Sequence, residues 1–399
     1  MTRIGIVGGT FDPIHNGHVA LIQAAAQSSL LDRVVVLPAG IPPHNYKSIE
    51  KTAFAAYRFI MVQKALADIP KVEVLNLEIL RQGNSYTIDT LEAFRRAGSP
   101  EDELYLIYGS DILADMHKWR QPERILQKAT LFLARRGGDD PEAIDRQADR
   151  MHRDYGARIL FFDAPRIELS STMVRTAIAE NQSLACMVPE RVERFIRKHQ
   201  LYRADEMVWT LPSDIKLKLR QFERELWPLL TMKRLLHSLN VCRLSVDLAA
   251  AHQLPMVSAA IAGILHDCAK DLPVPEMMDL AEQAGDPLLM EPALAHGPAG
   301  AVLAAREFGI TDPDIIHAIH CHTTGCRDMN TLDRIIFIAD KVEPARSYQN
   351  LEEIRRLAPI DLNAAMRVCL DEINLFLDRE GIPAHPYAAA AYDSTFNQL

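Results

Sequence analysis

The stretch Arg3-Ile4-Gly5-Ile6-Val7-Gly8-Gly9-Thr10-Phe11-Asp12-Pro13-Ile14-His15-Asn16-Gly17-His18 decides how this chain is read. From Ile4 to Gly9 every residue is apolar or glycine, the pattern of a strand covered on both faces. A Gly-Gly turn follows, and then a segment at helical spacing, GHVALIQAAAQ. In an open α/β sheet ligands sit at the carboxyl ends of strands, and a glycine-rich turn lets phosphate approach the N–H groups of a helix N-terminus. The stretch is neither GxGxxG nor a Walker loop. His15 and His18, three apart, can point the same way from a first helical turn and donate to phosphate oxygens as charge builds. A lone histidine here is more often a cap or a packing residue. Two of them, with Gly17 between and Gly8-Gly9 before, point to phosphate chemistry.

Outward from that stretch, further β-rich runs follow: RVVVLPAG, KVEVLNLEI, ELYLIYGSD, ATLFLARR and ARILFFDAP. Between them lie amphipathic segments such as AAYRFIMVQKALA and SYTIDTLEAFRRAG. The alternation predicts a doubly wound parallel sheet with helices on both faces. After VPERVERFIRKHQLYR no comparable strand run occurs, and the second half reads as all helical. LPSDIKLKLR offers a helix start with Ser213 or Asp214 as N-cap, so the predicted domains are 1–203 and 213–399. Met207, Val208 and Trp209 in the junction predict a packed connection, not a flexible tether.

A chain of 399 residues is long enough for two cores. With 48% hydrophobic and 24% charged residues and a net charge of −9, it has no overall basic field for duplex nucleic acid. It has neither a signal h-region nor ~18 uninterrupted apolar residues, so the expected location is cytoplasmic, with no membrane partner. An oligomer is compatible with all of this. The six cysteines, Cys186, Cys242, Cys268, Cys321, Cys326 and Cys369, contain no CxxC pair, so neither a disulfide framework nor a thiolate zinc site is expected.

GGTFDPIHNGH resembles the HxGH signature of the nucleotidyltransferase superfamily, and in detail that of bacterial nicotinate-nucleotide adenylyltransferases. The resemblance runs from Arg3 to about Tyr202 and continues in order through LPAGIPPHNYK, SYTIDTL, YGSD, MHKW, ARRGG and ELSSTMVR. It implies a Rossmann-like fold and adenylyl transfer from ATP, with magnesium, to nicotinate mononucleotide, catalysed by positioning and charge stabilisation. Carried over by position, His15 and His18 would hold ATP phosphates, with His18 contributing most in the transition state. Gly8, Gly9 and Thr10 would form the phosphate turn, and Gly109 and Asp111 would line the adenosine pocket. Ser170, Ser171, Thr172 and Arg175 would meet the outer phosphates at a helix N-terminus. His44, Thr87, Trp119 and Arg136 would surround the pyridine nucleotide. The chain departs from the family pattern at Asn45, where lysine usually follows PPH, and at Gly137, where proline usually follows the arginine pair. Nicotinamide mononucleotide and phosphopantetheine are the competing acceptors; His15, where the phosphopantetheine branch carries threonine, argues against the second.

In the helical half, the His266-Asp267 pair ends an apolar run, AAIAGILHDCAK, and places an imidazole and a carboxylate at one locus. With His237, His296, His322 and Asp340 it makes six potential metal ligands. Imidazole and carboxylate donors without cysteine suit iron or manganese at least as well as zinc. RLLHS, AHGPAG, AIHCHTTG and RIIFIADKVEPAR resemble the HD-domain phosphohydrolases, specifically the symmetrical diadenosine tetraphosphatases, over roughly residues 215–397. That family implies an iron pair with Asp267 bridging, and hydrolysis of diadenosine tetraphosphate to two ADP. A nucleotide sensor or a broader nucleotide phosphohydrolase are the alternatives. His320 and His322, two apart, cannot share a helical face, and the HTTG match selects His322 as ligand. Lys270 and Arg346 are candidates for substrate phosphates, and Cys268 and Cys321 for packing.

Overall fold

The computed structural model describes residues 1–42, 51–136 and 140–396. The chain divides into two compact units, Met1–Arg197 with Leu201–Ala204, and Lys198–Gln200 with Asp205–Leu399.

The first unit holds six strands: β1 (Arg3–Gly9), β2 (Arg33–Pro38), β3 (Val72–Val74), β4 (Glu103–Gly109), β5 (Thr130–Arg136) and β6 (Ile159–Ala164). All pair in parallel, in the order β3-β2-β1-β4-β5-β6. Each predicted β-rich run supplies one strand. KVEVLNLEI does so only in part: its pairing stops at Val74 and Leu77–Leu80 turns helical. The turn that follows packs against Gly40, which has room for the Glu78 carbonyl only because it lacks a side chain: a Cβ on residue 40 would lie 2.5 Å from that oxygen. Around the sheet lie α1 (Asn16–Gln27), α2 (Ala55–Leu66), α3 (Thr87–Ala97), α4 (Pro122–Lys128), α5 (Pro141–Tyr155), α6 (Ser171–Ala179) and α7 (Glu190–Lys198). Ile6, Val35, Leu37, Leu106 and Leu131 pack in one buried cluster with Ile88 and Leu91 of α3 and Ile125 of α4.

β1 and β4 are neighbours in the sheet, and the winding reverses between them. Their pairing ends at Ile6–Leu106, while β1 stays paired to β2 as far as Gly9. Past Ile6 and Leu106 the carboxyl ends of β1 and β4 no longer pair with each other, and such a switch point is where a doubly wound sheet takes a ligand.

The second unit is helical throughout its described residues: α8 (Ser213–Leu226), α9 (Met232–Ala251), α10 (Met256–Leu265), α11 (Val274–Gln283), α12 (His296–Arg306), α13 (Pro313–Cys321), α14 (Thr331–Val342), α15 (Leu351–Leu357), α16 (Leu362–Glu380) and α17 (Pro386–Phe396). Pro212 occupies the N-cap of α8, so Ser213 and Asp214 lie in its first turn and do not cap it. The segment before it is a 3-10 turn, Met207–Thr210, with Val208 buried. The Met207 N–H donates to Asp247 at 3.0 Å and Lys216 donates to the Trp209 carbonyl at 3.0 Å. Among the described residues no helix is long and apolar enough to cross a membrane.

Candidate functional sites

His15 is the N-cap of α1, in extended backbone, and His18 is its third helical residue. The two rings lie 3.7 Å apart at 32°, and Phe11 meets His18 edge-on at 5.1 Å. The pair is therefore stacked across the helix start, not set side by side on a helical face. His18 Nδ1 accepts the His15 N–H at 3.3 Å, which leaves the proton of a neutral ring on Nε2. Gly17 permits the stack, since a Cβ there would sit 3.1 Å from the His15 ring.

Opposite, Ser170 is the N-cap of α6 and accepts the Met173 N–H at 3.2 Å. The start of α6 is fastened to the β1 turn through Ser171 and Arg175. Ser171 donates to the Pro13 carbonyl at 2.9 Å, Arg175 donates to the Asp12 carbonyl at 2.5 Å, and Arg175 also donates to Thr172 at 3.1 Å. His15, Gly17, His18, Ser170 and Ser171 line one cleft of 290 Å³. Gly8 and Gly9 end β1 and Thr10 follows them; Gly109 ends β4 and Asp111 opens the next helical turn.

Sequence reasoning missed what holds these turns. The Asp12 carboxylate accepts the Ala53 N–H at 3.1 Å and the Tyr202 hydroxyl at 2.8 Å, although Tyr202 lies 190 residues away. Arg58, 1% exposed, donates to the carbonyls of Ala53, Thr10 and Gly40, tying the ends of β1 and β2 together. Losing that guanidinium would leave three carbonyls short of a donor, at about 1–3 kcal/mol each where buried. The only signal in the sequence was an arginine inside the apolar run AAYRFIM.

Among the residues expected around the pyridine nucleotide, Trp119 packs edge-on to Tyr108 at 5.4 Å, and the Tyr108 hydroxyl bonds Thr87. Burial holds the Tyr108 phenol above its usual range. Tyr108 also approaches the β1 turn, 3.4 Å from where a Cβ of residue 8 would be. It was not among the residues expected here. Arg136 is the last residue of β5, while His44, Asn45 and Gly137 lie outside the described residues.

In the helical unit six residues from five helices and their ends converge: His237 of α9, His266 and Asp267 after α10, His296 opening α12, His322 after α13 and Asp340 of α14. All are buried, from 0% exposure for His266 to 9% for Asp340. Asp267 divides its carboxylate between two sets of imidazoles. Its Oδ1 lies 3.4 Å from His322 and 3.6 Å from His296, and its Oδ2 lies 3.7 Å from His266 and 3.9 Å from His237. Asp340 Oδ1 is 2.9 Å from His237 and 3.8 Å from His266. Metal–ligand bonds of about 2.0–2.2 Å put neighbouring ligand atoms about 3.0–3.6 Å apart, and these separations lie within a few tenths of an ångström of that range; His237, His266 and Asp340, and His266, Asp267 and His322, form two groups that could each hold an ion.

The electrostatics suit that use at His266, His296 and Asp267, while His237 carries a proton that a cation would displace. Burial pulls His266 down to about 4, and burial together with His322 pulls His296 down to about 2, so both are neutral donors at neutral pH. Against a large burial cost, the neighbouring histidines keep Asp267 well below the usual carboxylate range. Burial also opposes the His237 charge, but its bonds to Asp340 and Glu343 raise it to about 9. Glu343 is 3.3 Å from His237 Nδ1 and accepts from Asn240 at 2.7 Å, an arrangement that fixes the ring with Nε2 facing the cluster. Glu343 was not singled out from the sequence, though it stands in RIIFIADKVEPAR. The cationic rim consists of Arg234, 3.2 Å from Asp267 Oδ2, Lys270, 2.9 Å from His296 Nδ1, Lys341, 2.8 Å from Asp340 Oδ2, and Arg346, 3.0 Å from Asp340 Oδ1. His320 turns away to Asp286 at 3.1 Å.

Residues 6–177 match the cytidylyltransferase-like family model and residues 234–345 the HD domain model. The probable nicotinate-nucleotide adenylyltransferase of Thermoanaerobacter sp. (strain X514) is 36% identical over 204 residues, 51% of this chain and 96% of that protein. Its counterpart in Clostridium tetani (strain Massachusetts / E88) is 36% identical over 203 residues, 51% of this chain and 100% of that protein. A crystal structure from Clostridium acetobutylicum, described as a "predicted HD superfamily hydrolase involved in NAD metabolism", is 34% identical and covers 45% of this chain and 97% of that one, with a TM-score of 0.43. Over its first half, therefore, the chain belongs to the nicotinate-nucleotide adenylyltransferase family, and that domain is fused to an HD domain with a buried His/Asp cluster.

Proposed function

We propose that the chain is bifunctional: it adenylylates nicotinate mononucleotide with ATP, and it hydrolyses diadenosine tetraphosphate symmetrically to two ADP. The transferase reading is supported by the cleft in which the His15–His18 stack and the Ser170-Ser171 helix start face each other. There the 5′-phosphate oxygen of the mononucleotide attacks the α-phosphorus of ATP, the bond to the β-bridging oxygen breaks, and pyrophosphate leaves with its electron pair. Magnesium comes in with ATP. His18 Nε2–H stabilises charge on the α-phosphoryl oxygens, and the α6 amides with Arg175 receive the outer phosphates. Gly8, Gly9 and Thr10 let the backbone approach, and Gly109 and Asp111 border the adenosine. Thr87, Trp119, His44 and Arg136 are assigned to the pyridine nucleotide. Donors fixed for a carboxylate are poorly matched by a carboxamide, which favours the acid mononucleotide.

For the helical half, the observation that carries the reading is the division of Asp267 between two imidazole sets. Imidazole and carboxylate donors without a thiolate would fit an iron pair held by Asp267 between His296 and His322 on one side and His237, His266 and Asp340 on the other. Such a pair, when bound, would supply an activated water and a clamp for phosphoryl oxygens. Arg234, Lys270 and Arg346 surround the cluster with positive charge where a polyphosphate would lie. The test is turnover of the full chain on two mixtures, ATP with nicotinate mononucleotide and magnesium, and diadenosine tetraphosphate with ferrous iron. The products expected are nicotinate adenine dinucleotide with pyrophosphate, and ADP alone. AMP with ATP from the second mixture, or equal turnover of unrelated nucleotides, would overturn the tetraphosphatase reading without touching the first.

A further inference from the structure

The end of α13 and the start of α14 gather a second set of ligands, chemically unlike the HD cluster. His317 and Cys321 are one helical turn apart on α13 and share a face. Cys326 returns to them after the turn at Gly325, whose φ of +70° is one that glycine adopts without strain. Asp333 reaches in from the first turn of α14. The ligand atoms of these four side chains all lie within 4.8 Å of one another. His317 Nδ1 is 2.9 Å from Asp333 Oδ2 and 4.0 Å from Cys321 Sγ, and His317 Nε2 is 3.9 Å from Cys326 Sγ.

We propose that His317, Cys321, Cys326 and Asp333 form a second metal site, selective for zinc or another thiophilic divalent cation. Tetrahedral zinc with bonds of about 2.3 Å to sulfur and about 2.0–2.1 Å to nitrogen puts those two atoms about 3.6 Å apart; the two sulfurs lie 4.0 and 3.9 Å from opposite nitrogens of the His317 ring, so the exposed ring turns to give one nitrogen to the ion. Asp333 supplies an independent observation. It is fully buried, its Oδ2 is held by the Asn330 N–H at 2.8 Å in a capping box, and its Oδ1 has no hydrogen-bond partner among the described residues. A buried carboxylate oxygen without a donor is costly unless a cation or water meets it. Entry is open, since the His317 side chain is 49% exposed and Cys326 is half-buried. Two sulfurs separate this site from the HD cluster, whose donors are imidazole and carboxylate alone. The cysteines are five residues apart, so a search for CxxC spacing passes over them. An ion at this position would act structurally, pinning the segment that carries His322 and Thr323 to the start of the helix that carries Asp340.

The test uses the full chain, stripped with chelator under anaerobic conditions and titrated with cobalt and then zinc. A near-ultraviolet thiolate-to-cobalt charge-transfer band is expected, bleached by zinc. The band should persist in Asp267→Ala, which disables the HD cluster, and in Cys369→Ser. It should be lost in Cys326→Ser, a change at a half-buried position, along with one bound zinc per chain. Absence of the band from the unmodified chain, its survival in Cys326→Ser, or a Cys321–Cys326 disulfide found by mass spectrometry in place of bound zinc would each overturn the proposal.

Discussion

The two sites are made of opposite materials. The cleft of the α/β unit is assembled from strand ends, helix N-termini and the side chains of His15, His18, Ser170 and Ser171. The cluster of the helical unit consists of ionisable groups at most 9% exposed. A site that positions a substrate bringing its own charge and magnesium can be built from backbone N–H groups and hydroxyls at little desolvation cost. A site that holds cations must keep imidazoles neutral and carboxylates ionised out of water, and it does so only if each charge is compensated. A single truncation should therefore have graded consequences in the first site and all-or-none consequences in the second.

The largest effect is expected from Asp267→Ala. With both metals deprived of their shared ligand, tetraphosphate hydrolysis should fall to background and most bound iron should be lost, while adenylyl transfer continues nearly unchanged. Metal analysis and both assays on one preparation decide it; unaltered iron content, or collapse of adenylyl transfer in a folded variant, would show that the division of labour is wrong. Next comes His18→Ala, where kcat for adenylyl transfer should drop roughly a hundredfold or more with a much smaller change in ATP affinity. Equal losses in binding and turnover would reduce His18 to a binding group.

Glu343→Gln sharpens the comparison because it leaves all six clustered side chains in place. Weakening the hold on His237 should cost about ten- to a hundredfold in affinity for the metal that His237 binds, read by competition with a chelator. Stoichiometric metal retention at the same chelator concentration would mean that Glu343 only packs. The smallest effect concerns pH. Burial lowers His199, bonded to Asn240, to about 4, so the folded state holds it neutral while the unfolded chain protonates near 6.5. Its contribution to stability is complete above about pH 6.5 and is lost as pH falls towards about 4. In metal-free protein, His199→Gln should flatten the decline of the helical unit's melting temperature over that window; an unchanged slope would place the acid sensitivity elsewhere.

Much of both sites was legible because it rests on local periodicity and residue chemistry. Every β-rich run produced a strand, and the Gly-Gly turn and the α1 start fall where the alternation put them, whereas the helix start at Ser170 came from the ELSSTMVR resemblance. KVEVLNLEI was over-read because β character does not say where pairing ends, and the ladder with β2 stops at Val74. The ligand types of the helical half could be written down; the two-residue spacing of His320 and His322 said only that they do not share a face, and the HTTG resemblance chose His322, which lies 3.4 Å from Asp267 while His320 meets Asp286.

What the sequence by itself determined is the class of each half and the kinds of donor each carries, since strand and helix periods and side-chain chemistry are properties of short windows. Only the tertiary structure decided which donors meet. Tyr202 reaches Asp12 across 190 positions and His237 reaches Asp340 across 103, and no spacing rule encodes such pairs. The same holds at shorter range for Cys326, which the Gly325 turn folds back towards His317 and Cys321. The physical reason is that a side chain's partners are set by how helices and strands pack, and packing is a cooperative outcome of the whole core that no single window contains.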